Sequence, residues 1–240
     1  MPVFSVKALV LRRADYSDYD RMVSLFTPDR GKLEAIARGC RRPKSPLINA
    51  VEPFTVGDYQ VYQRGMRFSL EQCQILEGHY PLRANFERLA HGAYWMRLLD
   101  MSVMPDVPAE QLFLTTLHAL AFLTYSDLPA ELLTMAFEMH LAAQSGFAPC
   151  MDACVICHRP IQGAARFDAR LGGAVCLECV SSAPHISNGA RRILMKLPRA
   201  RFETVPMLLE RPEWPEAARI FRPYLHMRIP VPEKFVPKLF

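Results

Sequence analysis

Apolar and polar side chains alternate in short runs along the first eighty residues, a pattern typical of half-buried β-strands. Turn-forming residues separate the runs. Between the second and third runs, Pro28 suits the first central position of a turn and Gly31 can adopt positive φ. Five strands indicate a small barrel, either an OB-fold or an SH3-like barrel. The predicted strands are 6–12, 21–26, 32–37, 55–63 and 68–76.

The pattern then changes to a helical period. Apolar residues recur every three or four positions over 85–101, 109–125 and 130–145, which predicts three amphipathic helices. The third segment is apolar on most sides, so we expect it at the centre of a helical domain. We also predict a short helix that is capped by Ser187 or Asn188 and runs through Leu197, and another that starts at Pro215 and runs past Phe221 until Pro223 kinks or ends it.

Two cysteine pairs interrupt the helical region, at Cys154 and Cys157 and at Cys176 and Cys179. A two-residue spacing lets a tight turn place both sulfurs of a pair on one metal, and four thiolates complete a tetrahedron around Zn²⁺. Such a site has no open coordination position, so we expect a structural role. The residues between the pairs predict short strands around a Gly172-Gly173 turn. A redox pair, or a site that has lost its metal, is the alternative.

Charge is distributed unevenly and supports separate structural units. Residues 1–80 hold 12 basic against 9 acidic side chains, 81–149 hold 3 against 7, and 150–240 hold 14 against 8. The chain is therefore predicted to be an α+β protein with three parts. These are an OB-fold that binds nucleic acid (1–80), a helical domain (81–150 and 181–240) and a zinc-binding module (151–180) inserted in or packed on the helical domain.

The positive charge is concentrated in residues 30–44, which reach a net +5, equal to that of the whole chain. Glycine and proline among the cations of 38–46 disfavour helix and strand, so we expect a loop that projects into water. Such a loop suits phosphate oxygens of any nucleic acid sequence, although a merely solvated loop is equally consistent with the charge. The candidate DNA contacts are Arg30, Lys32, Arg38, Arg41, Arg42 and Lys44.

A second candidate surface lies in residues 191–201, which carry five cations and no acid. Its candidate phosphate contacts are Arg191, Arg192 and Lys196, and a solvated helix face is the alternative interpretation. Base stacking would need exposed aromatic rings, whereas aromatic residues at strand spacing are more often core. The candidates for stacking are Tyr16, Tyr19, Tyr59, Tyr62 and Phe68.

Several features argue against other classes of protein. Half of the residues are hydrophobic, which is ordinary for a folded domain, and no apolar run is long enough for a bilayer span or a secretory signal. We therefore expect a cytoplasmic protein without membrane contact, whose seven cysteines favour thiols and metal over disulfides. Nucleotide-binding and hydrolase motifs are absent, so we do not expect an enzyme.

Two blocks of motifs occur in a recognisable order. The first comprises 8–11, 16–20, 25–27 and Ala37-Arg38-Gly39 with the cations that follow; the second comprises Phe137-Glu138, Gly146-Phe147 and Pro149 running into the four cysteines. Together they resemble the bacterial RecO family of recombination-mediator proteins.

That resemblance implies an OB-fold, a helical domain and a module with one structural Zn²⁺ per chain. It also implies a role in DNA repair near the nucleoid: binding of single- and double-stranded DNA and annealing of complementary strands. The implied partners are RecR, the C-terminal tail of the single-strand-binding protein and, indirectly, RecA, which is loaded onto coated strands. The residues alone leave one alternative open, a zinc-ribbon adaptor that acts mainly through protein contacts.

Overall fold

The structure is a computed structural model that describes residues 3–237. Spatial contacts divide these residues into two compact units, one formed by 3–125 with 233–236 and one formed by 126–232 with 237. The division after Tyr125 groups the first two long helices with the N-terminal strands. The three-part functional division drawn from the sequence remains a prediction.

A closed five-stranded barrel forms the core of the first unit and confirms the predicted strands. The strands are β1 (Val3–Asp15), β2 (Arg21–Thr27), β3 (Gly31–Ala37), β4 (Val56–Arg64) and β5 (Arg67–Glu77). Their order around the barrel is β1-β2-β3-β5-β4, and β4 pairs again with β1. All pairs are antiparallel except β3 with β5. This arrangement is the Greek-key barrel of an OB-fold.

The barrel interior is built by the alternation seen in the sequence. Val6, Ala8 and Val10 point inward from β1, and the Tyr59 hydroxyl on β4 donates to the Ala50 carbonyl oxygen at 2.6 Å. The connection between β3 and β4 adds Cys40, Leu47 and Val51 to the same core. This connection is therefore fastened to the barrel by buried side chains.

The turn between β2 and β3 forms as the sequence predicts. Gly31 has a φ of 59°, and a Cβ at this position would overlap the carbonyl oxygen of Met104. The side-chain oxygen of Thr27 accepts a hydrogen bond from the main-chain N–H of Arg30 at 3.1 Å. This turn holds Arg30 at the opposite end of β3 from the loop that follows Ala37.

Two helices of the first unit confirm the predicted segments, α1 (Phe86–Ser102) and α2 (Glu110–Tyr125). Asn85 caps α1, because its side-chain oxygen accepts from the N–H of Arg88 at 3.1 Å. Phe113 of α2 packs edge-to-face on Phe26 of β2, with ring centroids 5.3 Å apart. α2 thus covers apolar surface of the barrel.

A polar cluster around Asp100 joins α1 to the barrel, and sequence reasoning did not detect it. The buried Asp100 carboxylate accepts hydrogen bonds from the Ser24 hydroxyl at 2.8 Å and from Nε of Arg12 at 3.1 Å. It also accepts from Nη1 of Arg97 at 3.2 Å. Lys32 Nζ donates to the main-chain oxygen of Asp100 at 2.7 Å. The cluster orders the surface of β1, β2 and α1 where they meet.

Asp100→Ala is expected to lower the free energy of unfolding of the first unit by about 2–3 kcal/mol, because it leaves the buried Ser24 hydroxyl without its acceptor. Asp100→Asn keeps an oxygen that can accept from the Ser24 hydroxyl, so it should lower the free energy of unfolding by about half as much. The measurement is urea unfolding followed by Trp95 fluorescence in a Trp214→Phe background, since the chain has two tryptophans. Equal losses in both variants would contradict the role given to the Ser24 hydrogen bond.

The second unit contains three α-helices and a small sheet. α3 is buried at every position from Ala130 to Ala142, as its all-round apolar character predicts. α5 continues through Pro223 to Arg228, so this proline does not end the helix, and the alternative of a kink at Pro223 stays a prediction. None of the helices within residues 3–237 has the length and apolar character required to cross a membrane. The elements are α3 (Ala130–Gln144), β6 (Ala165–Asp168), β7 (Gly173–Val175), β8 (His185–Ile186), α4 (Asn188–Lys196) and α5 (Trp214–Arg228).

A buried ion cluster links α3 to α5 inside the second unit. Nε of Arg222 lies 2.8 Å from Oε1 of Glu138, and its Nη2 lies 2.9 Å from Oε1 of Glu131. All three side chains are almost fully removed from water. Because a lone charge is costly in such a site, each of these residues depends on the others.

Candidate metal centre and nucleic-acid interface

The local fold of the second unit brings the two cysteine pairs together. β6 and β7 form a hairpin whose turn contains Gly172 with a φ of 77°, and Cys176 follows β7 directly. The first pair docks on this hairpin, because the N–H of Val155 donates to the oxygen of Ala174 at 2.9 Å. The predicted hairpin around Gly172 is therefore confirmed, and it brings the second cysteine pair next to the first.

The four cysteine sulfurs all lie within 4.8 Å of one another, an arrangement that could hold a metal ion. The Cys154 and Cys179 sulfurs are 3.9 Å apart, and those of Cys157 and Cys176 are 3.7 Å apart. A tetrahedron with metal–sulfur bonds of about 2.3 Å has sulfur–sulfur edges of about 3.8 Å. Both distances are far longer than a disulfide bond of about 2.05 Å. The geometry therefore fits a tetrahedral thiolate site.

The proton affinities of the sulfurs differ strongly within this site. Burial alone would raise the pKa of Cys154, but main-chain N–H groups of residues 157, 176 and 156 lower it to about 6. The pKa of Cys179 is raised to about 12, first by the Cys176 side chain and then by that of Cys157. Four adjacent thiolates repel one another, so a cation is needed before all four can ionise.

Two other potential ligands lie close in sequence but outside this group of sulfurs. The Cys150 sulfur is exposed and lies 3.5 Å from Oδ1 of Asp152. His158 adopts a positive φ of 61° in the turn after the first pair, and its side chain is exposed. Among the described residues, the group that could hold a metal consists of the four predicted cysteines alone.

The cationic loop after β3, residues 38–46, is anchored at its base. The N–H of Gly39 donates to Oδ1 of Asp20 at 2.7 Å, and this hydrogen bond is the main reason that the pKa of Asp20 is lowered. The N–H of Arg41 donates to the oxygen of Tyr19 at 3.1 Å, and its Nη1 donates to the oxygen of Ser17 at 3.1 Å. We call residues 38–46 the basic loop. Its exposed cations are Arg38, Arg41, Arg42 and Lys44.

Exposed aromatic rings accompany the basic loop. Tyr16 and Tyr19, in the loop between β1 and β2, are 61% and 53% exposed, and the Arg42 guanidinium lies 5.1 Å from the Tyr19 ring centroid. The other stacking candidates are less accessible, since Tyr59 is fully buried, and Tyr62 and Phe68 are half-buried. Acidic groups also lie beside Tyr16 and Tyr19, one at the end of β1 and one in the β1–β2 loop. Asp15 pairs with Arg41 at 3.4 Å, and Asp18 is exposed.

The other two cations of the 30–44 stretch, Arg30 and Lys32, lie away from the basic loop. Arg30 precedes β3 and Lys32 is its second residue, whereas the basic loop follows the end of β3. The Arg30 guanidinium lies 4.5 Å from the Phe4 ring centroid, beside the β2–β3 turn. Lys32 is half-buried and donates to Asp100, as described above. The six candidate DNA contacts of this stretch therefore do not all lie on the basic loop, and their contacts with DNA remain a prediction.

The second basic stretch is only partly available to a ligand. Arg191 is 5% exposed, and its guanidinium donates to the main-chain oxygens of Met151 at 2.6 Å and Gly163 at 2.9 Å. Arg192 and Lys196 are exposed on α4. Arg191 therefore stabilises the main chain around the cysteine module, and we do not include it among the proposed DNA contacts.

Comparison with known proteins covers nearly the whole chain. Residues 1–79 match the family model described as "Recombination protein O N terminal", and residues 83–234 match "Recombination protein O C terminal". A protein of Syntrophomonas wolfei named "DNA repair protein RecO" is 32% identical over 203 residues, which cover 83% of this chain and 80% of the relative. A protein of Pelotomaculum thermopropionicum with the same name is 32% identical over 201 residues, 82% of this chain and 77% of the relative.

Proposed function

The chain belongs to the RecO family of DNA repair proteins, and from this premise we propose that it binds single- and double-stranded DNA through the basic loop and anneals complementary strands. The barrel supplies a rigid support and the loop supplies phosphate contacts. Hybridisation itself drives annealing once cations reduce the repulsion between two backbones. No catalytic group is required, so we assign the protein a non-enzymatic role.

The observation that carries this proposal is the juxtaposition of four exposed cations on the anchored basic loop with two exposed tyrosines on the β1–β2 loop. Cations hold sugar-phosphate backbones without reading the sequence, whereas aromatic rings stack with unpaired bases. Because hydrogen bonds to the β1–β2 loop already order the basic loop, binding requires less ordering of the protein. Asp15 and Asp18 offset part of the charge.

Family membership extends the proposal to protein partners. We propose that the protein acts at cytoplasmic DNA together with RecR, contacts the C-terminal tail of the single-strand-binding protein and helps to load RecA onto coated strands. These partners follow from the resemblance of the sequence to the family, and we assign no residue to their contacts.

We further propose that the four cysteines hold one structural Zn²⁺ per chain. Four thiolates suit Zn²⁺ and leave no coordination position for a substrate. The ion would fasten the first cysteine pair to the hairpin that carries the second. Its role would be to stabilise the second unit.

Salt titration of single-stranded DNA binding tests the DNA-binding proposal. Four phosphate contacts predict a slope of log K against log[salt] of roughly −3, at about −0.7 for each contact. The variant Arg41→Ala/Arg42→Ala/Lys44→Ala should have a slope shallower by roughly two units and an affinity lower by roughly 100-fold near 0.1 M salt. Fluorescence anisotropy of a labelled oligonucleotide measures both quantities.

A matched variant controls for net charge. Arg170→Ala/Arg211→Ala/Arg219→Ala removes three exposed cations from the second unit and should leave the slope within about half a unit of wild type. If the loop variant and this control behave alike, the basic loop is not the phosphate contact.

One observation favours a second candidate function, an adaptor that binds mainly proteins. The cysteine module exposes Ile156, Leu177 and Val180, and Val180 is 99% exposed. Exposed apolar side chains around a rigid metal site suit a protein interface. An unchanged salt slope in the loop variant would favour this function over DNA binding.

A further inference from the structure

Three arginines lie at the end of the barrel that contains the β2–β3 turn and the β4–β5 hairpin, away from the basic loop. Arg30 is in cation–π contact with Phe4, and the Phe4 ring meets the Phe68 ring edge-to-face at 6.2 Å. Phe68 directly follows Arg67, which pairs with Arg64 across the hairpin. We call Arg30, Arg64, Arg67 and the hairpin residue Met66 the hairpin patch.

The tip of this hairpin is well defined and accessible. Gly65 adopts a φ of 60° in the two-residue turn, and both strands that lead to it belong to the closed barrel. Met66 is 96% exposed, and Arg64 and Arg67 are exposed on either side of the turn. An apolar side chain between two guanidiniums can touch base faces while the guanidiniums contact phosphates.

The positive charge of the hairpin patch is largely uncompensated. Within residues 3–237, no ion pair engages the three arginines of the patch. The exposed Asp29 adjoins Arg30, so three guanidiniums accompany one carboxylate. Glu34 precedes Ala35, which pairs with Phe68 of β5, and its carboxylate is 3.2 Å from Nη2 of Arg12.

Strand register places the two cationic surfaces far apart on the barrel. At one end of β1, Val3 pairs with Tyr62 beside the hairpin; at the other end, Asp15 pairs with Arg21 beside the basic loop. β3, whose seven residues separate Arg30 from the basic loop, extends over roughly 20 Å at about 3.3 Å per residue. This length is more than twice the Debye length of about 8 Å at physiological salt.

We propose that the hairpin patch is a second phosphate-binding site, so that one barrel holds two nucleic acid strands at once. This inference rests on the proposed binding of DNA by the basic loop. Because the sites are separated by more than a Debye length, binding of one strand does not electrostatically prevent binding of the other. Two strands on one protein have a raised effective concentration for each other, which accounts for annealing without an energy source.

A two-strand bridging assay tests the second site. Donor- and acceptor-labelled oligonucleotides that cannot pair are mixed with the protein, and energy transfer reports complexes that contain both strands. Arg64→Ala/Arg67→Ala should bind one oligonucleotide within about twofold of wild type, yet lose roughly tenfold or more in affinity for the second. The salt slope of the second binding step should become shallower by about 1.4, at about 0.7 for each lost contact.

The remaining outcomes separate this inference from the function on which it rests. Arg211→Ala/Arg219→Ala, which removes two exposed charges elsewhere, should bridge strands like wild type, and thermal melting should show that both variants are folded. If the hairpin variant bridges normally, or if it loses affinity for a single strand as strongly as for the second, the separate site is wrong while DNA binding stands. If wild type binds no oligonucleotide at all, the proposed function itself is wrong.

Discussion

Arg222→Leu is expected to lower the free energy of unfolding of the second unit by about 3–5 kcal/mol. The substitution removes the guanidinium that lies 2.9 Å from Glu131 and 2.8 Å from Glu138, and it leaves both carboxylates in a site with almost no water. Ionised carboxylates in such a site must either stay charged at high cost or take up protons. Denaturant unfolding followed by Trp214 fluorescence in a Trp95→Phe background reports the second unit, because Trp214 is the first residue of α5.

Two further variants test whether uncompensated charge causes the loss. Arg219→Leu changes an exposed arginine on the same helix and should cost no more than about 0.5 kcal/mol. Glu131→Gln/Glu138→Leu combined with Arg222→Leu removes the charges together and should recover most of the stability, since an apolar replacement of a whole buried ion cluster is often neutral. A triple variant less stable than Arg222→Leu would show that the cluster stabilises by packing or hydrogen bonds instead.

The barrel and the helix bounds could be predicted because their signals are local. Alternation within each strand and the Pro28–Gly31 turn depend on neighbours a few residues away, and the positions of α1 and α2 follow from their apolar period. The cysteine pairs are equally local, since each pair occupies one turn. These features were therefore recognisable from the residues alone.

The composition of the cationic surfaces depends on contacts that a linear charge count cannot represent. Arg30 and Arg41 belong to one charged stretch, yet they lie at opposite ends of β3, and Arg30 shares its end of the barrel with the hairpin that carries Arg64 and Arg67. Arg191 has the same charge as Arg192, but its side chain is buried inside the second unit, where it donates to the main-chain oxygen of Met151. Only the sequence Arg-Gly-Met-Arg between two predicted strands could have indicated the hairpin patch.

Cys176→Ser is expected to abolish stoichiometric metal binding and to destabilise the second unit by several kcal/mol. In small peptides a structural zinc ion contributes on the order of 10 kcal/mol to the free energy of folding. Because the cysteine module is also supported by the rest of the second unit, losing the ion should reduce the free energy of unfolding by only part of that amount. The serine hydroxyl is a poor ligand, and the first cysteine pair would lose its connection to the β6–β7 hairpin. Elemental analysis should fall from about one zinc per chain to near zero, while DNA affinity of the folded fraction changes little because the basic loop lies in the first unit.

Cys150→Ser is the matched control for this prediction. Its sulfur is exposed and lies outside the group of four, so zinc content and unfolding should remain as in wild type. A chelator added to wild type should reproduce the destabilisation of Cys176→Ser, because both treatments remove the same ion. Purified wild-type protein that contains no zinc, or a Cys176→Ser variant as stable as Cys150→Ser, would contradict a structural metal. In that case the close sulfurs would have to be stabilised by their main-chain hydrogen bonds alone, which engage Cys154 far more than Cys179.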